Sequence, residues 1–203
     1  MVVPSIIANS QKELNGRMKK VDSGIFQLDI MDGKFVKNKS LMFDFKLPKD
    51  KKYEAHLMIE NPKKWIEKNW KKTNAIIFHL ESTKNPDKII GLIKNKNRKV
   101  GIAINPKTSI DKIKIHLNEV DLVLIMTVNP GKYGSKFIAK ALDKIRQIKK
   151  INPKMEIEVD GGINDKTIIK AKKAGANRFV VGSFIQESWN PKKDFEILRR
   201  KLK

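Results

Sequence analysis

Eight short apolar, β-branched runs, each followed by a stretch long enough for a helix, predict a closed (β/α)8 barrel. The runs lie at 2–7 (VVPSII), 25–31 (IFQLDIM), 53–59 (YEAHLMI), 75–80 (AIIFHL), 99–104 (KVGIAI), 121–126 (DLVLIM), 155–159 (MEIEV) and 177–182 (NRFVVG). They start about every 25 residues, and strands separated by helices pair in parallel through right-handed crossovers. An open doubly wound sheet would normally carry a glycine-rich turn after its first strand, and Ala8-Asn9-Ser10 carries none.

The intervening stretches show helical spacing: Leu14, Met18 and Val21; Ile89, Ile90 and Ile93; Leu142, Ile145 and Ile148, with lysines on the other face. Asn61-Pro62, Asn85-Pro86, Asn105-Pro106 with Thr108 and Ser109, and Asn190-Pro191 read as helix starts. Segment 32–52 departs from the rhythm and reads as a loop with at most a short helix. The chain of 203 residues, 40% hydrophobic, can bury a substantial core and is expected to form one domain over 1–203.

No apolar run approaches the roughly 20 residues needed to cross a bilayer, and Met1-Val2-Val3-Pro4-Ser5 lacks the features of a secretory signal, so a cytoplasmic location is expected. Without cysteine there are no disulfides, thiolate zinc sites or Cys nucleophiles, and His56, His79 and His116 are the only histidines. The net charge of +22 suggests polyanion binding, but lysine is spread over nearly every helical segment and arginine stands only at 17, 98, 146, 178, 199 and 200. That dispersal reads as a solvated surface rather than a nucleic-acid footprint, and a basic surface still draws in anionic substrates.

In such a barrel the reactive groups gather at the strand C-termini. Strand one offers Ser5; strand two Gln27, Asp29 and Met31; strand three His56 and Met58; strand four His79 and Glu81; strand six Met126; strand seven Asp160; strand eight Gly182 and Ser183. The i, i+2 spacing of Gln27, Asp29 and Met31 puts all three on one face, and His56 with Met58 repeats the pattern. Asp29 and Asp160 end or interrupt apolar strands, where a carboxylate needs a cation, a hydrogen-bond network or a raised pKa. Asp32 and Asp160 each precede glycine and could instead be turn formers. Gly131 and Gly134, Gly161-Gly162 and Gly182-Ser183 follow three successive late strands, where backbone N–H groups commonly bind phosphate.

PSIIANS, LDIMDGKFV, HLMIENP, FHLES, GIAINPKTS, VLIMTVNPG, IEVDGGIN and AGANRFVVGSFI, in that order, resemble the strand-end motifs of ribulose-phosphate 3-epimerases from Pro4 to about Ile185. The resemblance implies a TIM barrel of the ribulose-phosphate-binding type and an isomerase. Its reaction would be a metal-assisted 1,1-proton transfer between D-ribulose 5-phosphate and D-xylulose 5-phosphate in the pentose phosphate route. It implies Asp29 and Asp160 as acid and base, and Asp29, His56 and Asp160 as ligands of a divalent ion (Zn, Mn, Fe(II) or Co). Ser5 would contact substrate, Met31, Met58 and Met126 would line the site, and Gly131, Gly134, Gly161, Gly162, Gly182 and Ser183 would bind phosphate.

Three departures stand out. Gln27 occupies the place of a family histidine, a change from imidazole to a weaker, harder oxygen donor that moves preference away from zinc toward manganese, magnesium or iron(II). Lys132-Tyr133-Gly134-Ser135 replaces a glycine-rich loop, and segment 36–52 is trimmed. Alternatives are an epimerase of another ketose phosphate or a barrel that binds phospho-sugar without catalysis. The expected partner is a phosphorylated ketose; a membrane and nucleic acid are not expected, and a homo-oligomer is left open.

Overall fold

The computed structural model describes residues 1–131 and 134–203. Lys132 and Tyr133, named above beside the glycine loop, lie outside the described residues. Strands β1 (Val2–Ile6), β2 (Ile25–Asp32), β4 (Lys52–Met58), β5 (Ala75–His79), β6 (Lys99–Ile104), β7 (Leu122–Met126), β8 (Glu156–Asp160) and β9 (Arg178–Val181) form the predicted barrel. Each pairs in parallel with its neighbours, and β1 closes the ring by pairing with both β2 and β9. Helices α1 (Gln11–Met18), α2 (Lys63–Asn69), α3 (Pro86–Lys94), α4 (Leu142–Ile151), α5 (Thr167–Ala174) and α7 (Pro191–Leu202) pack outside, with a single turn, α6 (Ser183–Gln186), after β9.

Alternation sorts the strand residues into two layers. Outward side chains such as Phe26, Leu28, Ile30, Ile76, Phe78, Ile157 and Phe179 meet the helices' apolar stripes in the main core. Inward ones, Ile77, Ala103, Leu122, Leu124 and Met126, form a separate cluster inside the barrel. Register then fixes which inward groups are neighbours: Asp29 pairs with His56, Met31 with Met58, and Met126 with Asp160.

Several helix starts are as expected. The Asn85 and Asn190 side chains accept from the Lys88 and Lys193 amides, and proline occupies the first turn behind each. Asn61 does not cap: its φ is +49°, a left-handed conformation that Asn tolerates, and the first turn of α2 has no side-chain cap. Asn105-Pro106 starts no α-helix either. The crossover from β6 to β7 carries only 3-10 turns at Ile110–Lys112 and Lys114–His116, which still bury Ile110, Ile113 and Leu117. Segment 32–52 holds no helix, and its Lys39–Ser40 forms a short strand, β3, antiparallel to the end of β2.

Candidate active site

Asp29, His56 and Asp160 arrive from β2, β4 and β8 at the C-terminal mouth, as the alternation predicts, and meet around a fourth side chain. The Gln27 amide nitrogen donates to Asp29 Oδ1 at 2.7 Å and to Asp160 Oδ2 at 2.8 Å, and lies 3.3 Å from His56 Nδ1. His56 Nδ1 is itself 3.2 Å from Asp160 Oδ2 and 3.4 Å from Asp29 Oδ1. Gln27 and His56 are completely buried, whereas Asp160 reaches toward solvent.

The electrostatics follow from this crowding. Burial raises the Asp29 pKa, opposed by the His56 hydrogen bond and reinforced by the charge of Asp160. For His56, burial favours the neutral ring, but hydrogen bonds to Asp160 and Asp29 overcome it and lift the pKa to about 9. Two carboxylates and an imidazole nitrogen facing one point are a cation-binding set, and the three residues present their ligand atoms within 4.8 Å of one another. The fourth donor fits as well. Gln27 Oε1 is buried with no hydrogen-bond partner, and turning the amide over would aim that oxygen between two carboxylates, an orientation that a cation between them would favour.

Above this cluster a cleft is lined by Ser5, Asp29, Met58, Met126, Gly131, Gly134, Asp160, Gly161, Gly162, Gly182 and Ser183. The predicted binding residues are therefore brought together, except His56, expected to bind substrate as well as metal but completely buried beneath the cleft, and Met31, which is buried beside Met58 and Val36; neither lines the cleft. Gly161 and Gly162 have φ of +112° and +64°, and a Cβ on Gly161 would stand 2.3 Å from a Val128 methyl. Glycine is required there by conformation and by space.

Of the two candidate turn formers, Asp32 is one. Burial works against its ionisation, but the amides of Glu60, Lys34 and Phe35 donate to its carboxylate and lower its pKa. It shapes the loop and stays out of the cleft. His116 lies 3.1 Å from Asp87 near Glu119, and none of these three lines the cleft.

Two further sets of polar groups were given no role by the sequence: His79 and Glu81, named there only as strand-end groups, and a charged trio at the other end of the barrel. His79 sits behind His56, their Nε2 atoms 2.9 Å apart, and its Nδ1 is 3.3 Å from Glu81 Oε2. Burial lowers the His79 pKa to about 4. Burial opposes ionisation of Glu81, yet His79, Thr108 and the Asn105 amide bring it to about 2. The second set, Glu54, Glu158 and Arg178, fills the barrel floor, where Arg178 pairs with both glutamates. A larger hollow of about 920 Å³ opens at that end, but its buried charges are consumed by one another, and none of the Asp29 cluster reaches it. The signal for His79, Glu54, Glu158 and Arg178 was a charged or imidazole residue at an inward strand position; Glu81, in the 3-10 turn Leu80–Ser82, carried no such signal.

A closed parallel barrel with paired carboxylates at its mouth and a glycine-lined cleft beside them defines an α/β-barrel enzyme. The chain belongs to the ribulose-phosphate 3 epimerase family, whose family model matches residues 1–186. It is 37% identical to the ribulose-phosphate 3-epimerase of Aquifex aeolicus over 100% of this chain and 95% of that protein. It is 36% identical to the one from Bacillus subtilis over 98% of this chain and 97% of that protein. Among solved structures it resembles 3-hexulose-6-phosphate synthase from Salmonella typhimurium, with a TM-score of 0.71 and 14% identity, covering 99% of this chain and 97% of the other. Orotidine 5'-phosphate decarboxylase from Pyrococcus horikoshii gives 0.70 and 13%, covering 100% and 99%. These structural likenesses concern the fold. No described helix is long and apolar enough to cross a membrane.

Proposed function

We propose that this chain interconverts D-ribulose 5-phosphate and D-xylulose 5-phosphate by moving the proton at C3, with Asp29 and Asp160 as the acid and base. The observation that carries the reading is the convergence of those two carboxylates, from strands far apart around the barrel, on one amide nitrogen beside the cleft. Inversion at carbon needs a proton acceptor on one face and a donor on the other, and two carboxyl groups on separate strands supply both. Burial raises the Asp29 pKa, which helps that carboxyl hold a proton. Met58 and Met126 line the cleft with apolar side chains that carry no exchangeable proton.

Asp29, His56 and Asp160, with Gln27 Oε1 as a fourth donor, would hold a divalent cation. When bound, it supplies electrophilic stabilisation of the substrate oxygens that gain charge as the C3 proton leaves. The oxygen-rich set favours manganese, iron(II) or magnesium over zinc. Ser5 and the glycines at 131, 134, 161, 162 and 182, with Ser183, receive the sugar phosphate, and the whole 203-residue chain acts as one domain.

Solvent deuterium entering C3 of ribulose 5-phosphate, followed by NMR with manganese, iron(II), cobalt or zinc present, tests the reading. Exchange is expected for the natural chain, and a fall of about 10²- to 10⁴-fold is expected for Asp29→Asn and for Asp160→Asn. No exchange with any of the four ions would sink the proposal.

A further inference from the structure

His56 presents two ring nitrogens to two different worlds. Nδ1 faces Asp29 and Asp160, and Nε2 faces His79 Nε2 at 2.9 Å in a fully buried contact. Only one proton fits between two ring nitrogens at that distance, so one ring donates and the other accepts. Which one donates is decided further out. His79 Nδ1 faces Glu81 Oε2 at 3.3 Å, and the other Glu81 oxygen accepts from the Asn105 amide at 2.9 Å and from the Thr108 hydroxyl. A carboxylate so held only accepts, which places a proton on His79 Nδ1. His79 Nε2 is then the acceptor, and His56 Nε2 carries the donated proton.

We propose that Glu81 and His79 form a one-way hydrogen-bond chain that fixes the His56 ring and reserves its Nδ1 for the point where Asp29 and Asp160 converge, making His79 a positioning residue for the site.

The chain is anchored from three elements. The Phe35 ring packs 4.8 Å from the His79 ring and holds its plane. The Ser82 hydroxyl donates to the His79 carbonyl at 2.7 Å. Lys144 of α4 donates to the carbonyls of Asn105 and Thr108, at 2.7 and 2.5 Å, and so ties down the loop that holds Glu81. An imidazole that binds a metal through one nitrogen while its other N–H is held by a fixed acceptor keeps both tautomer and orientation. The positioning role rests on the cation reading given above, whereas the polarity of the chain does not.

Ring-nitrogen NMR of the metal-free, ¹⁵N-labelled protein tests that polarity directly. His79 is expected to carry its proton on Nδ1 and not on Nε2, and the reverse assignment would overturn the chain. Affinity for manganese, read by competition with a chelating dye, tests the role. His79→Phe, nearly isosteric but without an acceptor, is expected to weaken binding by about 10- to 100-fold. His79→Gln, whose carbonyl can accept the same proton, should stay within about threefold of the natural protein. Should the phenylalanine variant fail to fold, Glu81→Gln keeps the size and removes the obligate acceptor. It should move the His79 proton toward Nε2 and weaken manganese binding by about tenfold. Unchanged tautomer and unchanged affinity in Glu81→Gln would refute the positioning role. A natural protein that shows the expected ring pattern but takes up none of manganese, cobalt and zinc would overturn the cation reading, and the role with it, while leaving the chain's polarity standing.

Discussion

A carboxamide at position 27 can act in two ways, because its two ends have opposite polarity. With its nitrogen inward it bridges Asp29 and Asp160 and relieves their mutual repulsion. With its oxygen inward it is a donor to a cation. The first arrangement competes with the second, so this site should bind metal less tightly than one whose fourth residue is imidazole. Gln27→His removes the competitor and adds a second nitrogen donor, and should tighten zinc binding about tenfold or more in a chelator-competition titration. Asp29, His56 and Asp160 were legible as a set because alternation and strand ends place inward residues without any structure. The His79 and Glu81 pairing was not: His79 ends β5, whereas Glu81 lies in the 3-10 turn Leu80–Ser82 that follows it. Sequence spacing is silent on which neighbour a ring nitrogen will meet.

Among the elements, the strands were the most legible, since a run that must fill both the barrel and the helix layer is apolar throughout. All eight barrel strands start or end within about two residues of the predicted runs. The crossover after β6 was misread because the start signals Asn105-Pro106, Thr108 and Ser109 serve a 3-10 turn as well as an α-helix. Its Ser109 caps Asp111 rather than a longer helix. The turn after β8 is tightly constrained, with glycines at positive φ at both 161 and 162. Gly161→Ala brings a Cβ into Val128 and places alanine at a φ of +112°, so it should cost about 1–3 kcal/mol of stability. It should also raise KM for the sugar phosphate about tenfold, as the displaced turn withdraws from the cleft. Val128→Ala in addition removes the two methyl contacts but leaves the Val128 Cβ position 2.9 Å away and the strained φ, so partial recovery of KM is the expected result in steady-state assays.

For the whole molecule, the polar floor of the barrel sets a dependence on pH. Glu54 and Glu158 are both buried and share Arg178, with the half-buried Glu156 also on that guanidinium. Burial, then the charge of Glu158, pushes the Glu54 pKa well above the usual carboxyl value. A carboxyl whose folded pKa is raised stabilises the fold most below its unfolded value, about 4.3, and that contribution is lost as pH rises through the folded value. Glu54→Gln keeps the shape without the titration, so its thermal midpoint should fall less than the natural protein's between pH 5 and 8, by differential scanning fluorimetry. A larger fall in the variant would show that the ionised pair with Arg178 outweighs the burial.

The closure of the barrel through its first strand has a temporal side. One edge of β1 meets β2 within the first 28 residues, whereas its other edge waits for Phe179, Val180 and Val181. During synthesis that second edge therefore stays without a partner until nearly all of these residues have left the ribosome. Seven strands can line up in order as they emerge, each beside the last, but the ring cannot shut, and the carboxylates of β2 and β8 cannot meet across it, until the far end arrives. A chain halted before Arg178 would present two open parallel edges at once, the surface most inclined to pair with another copy. Assembly of the barrel mouth and protection from aggregation thus depend on the same late event.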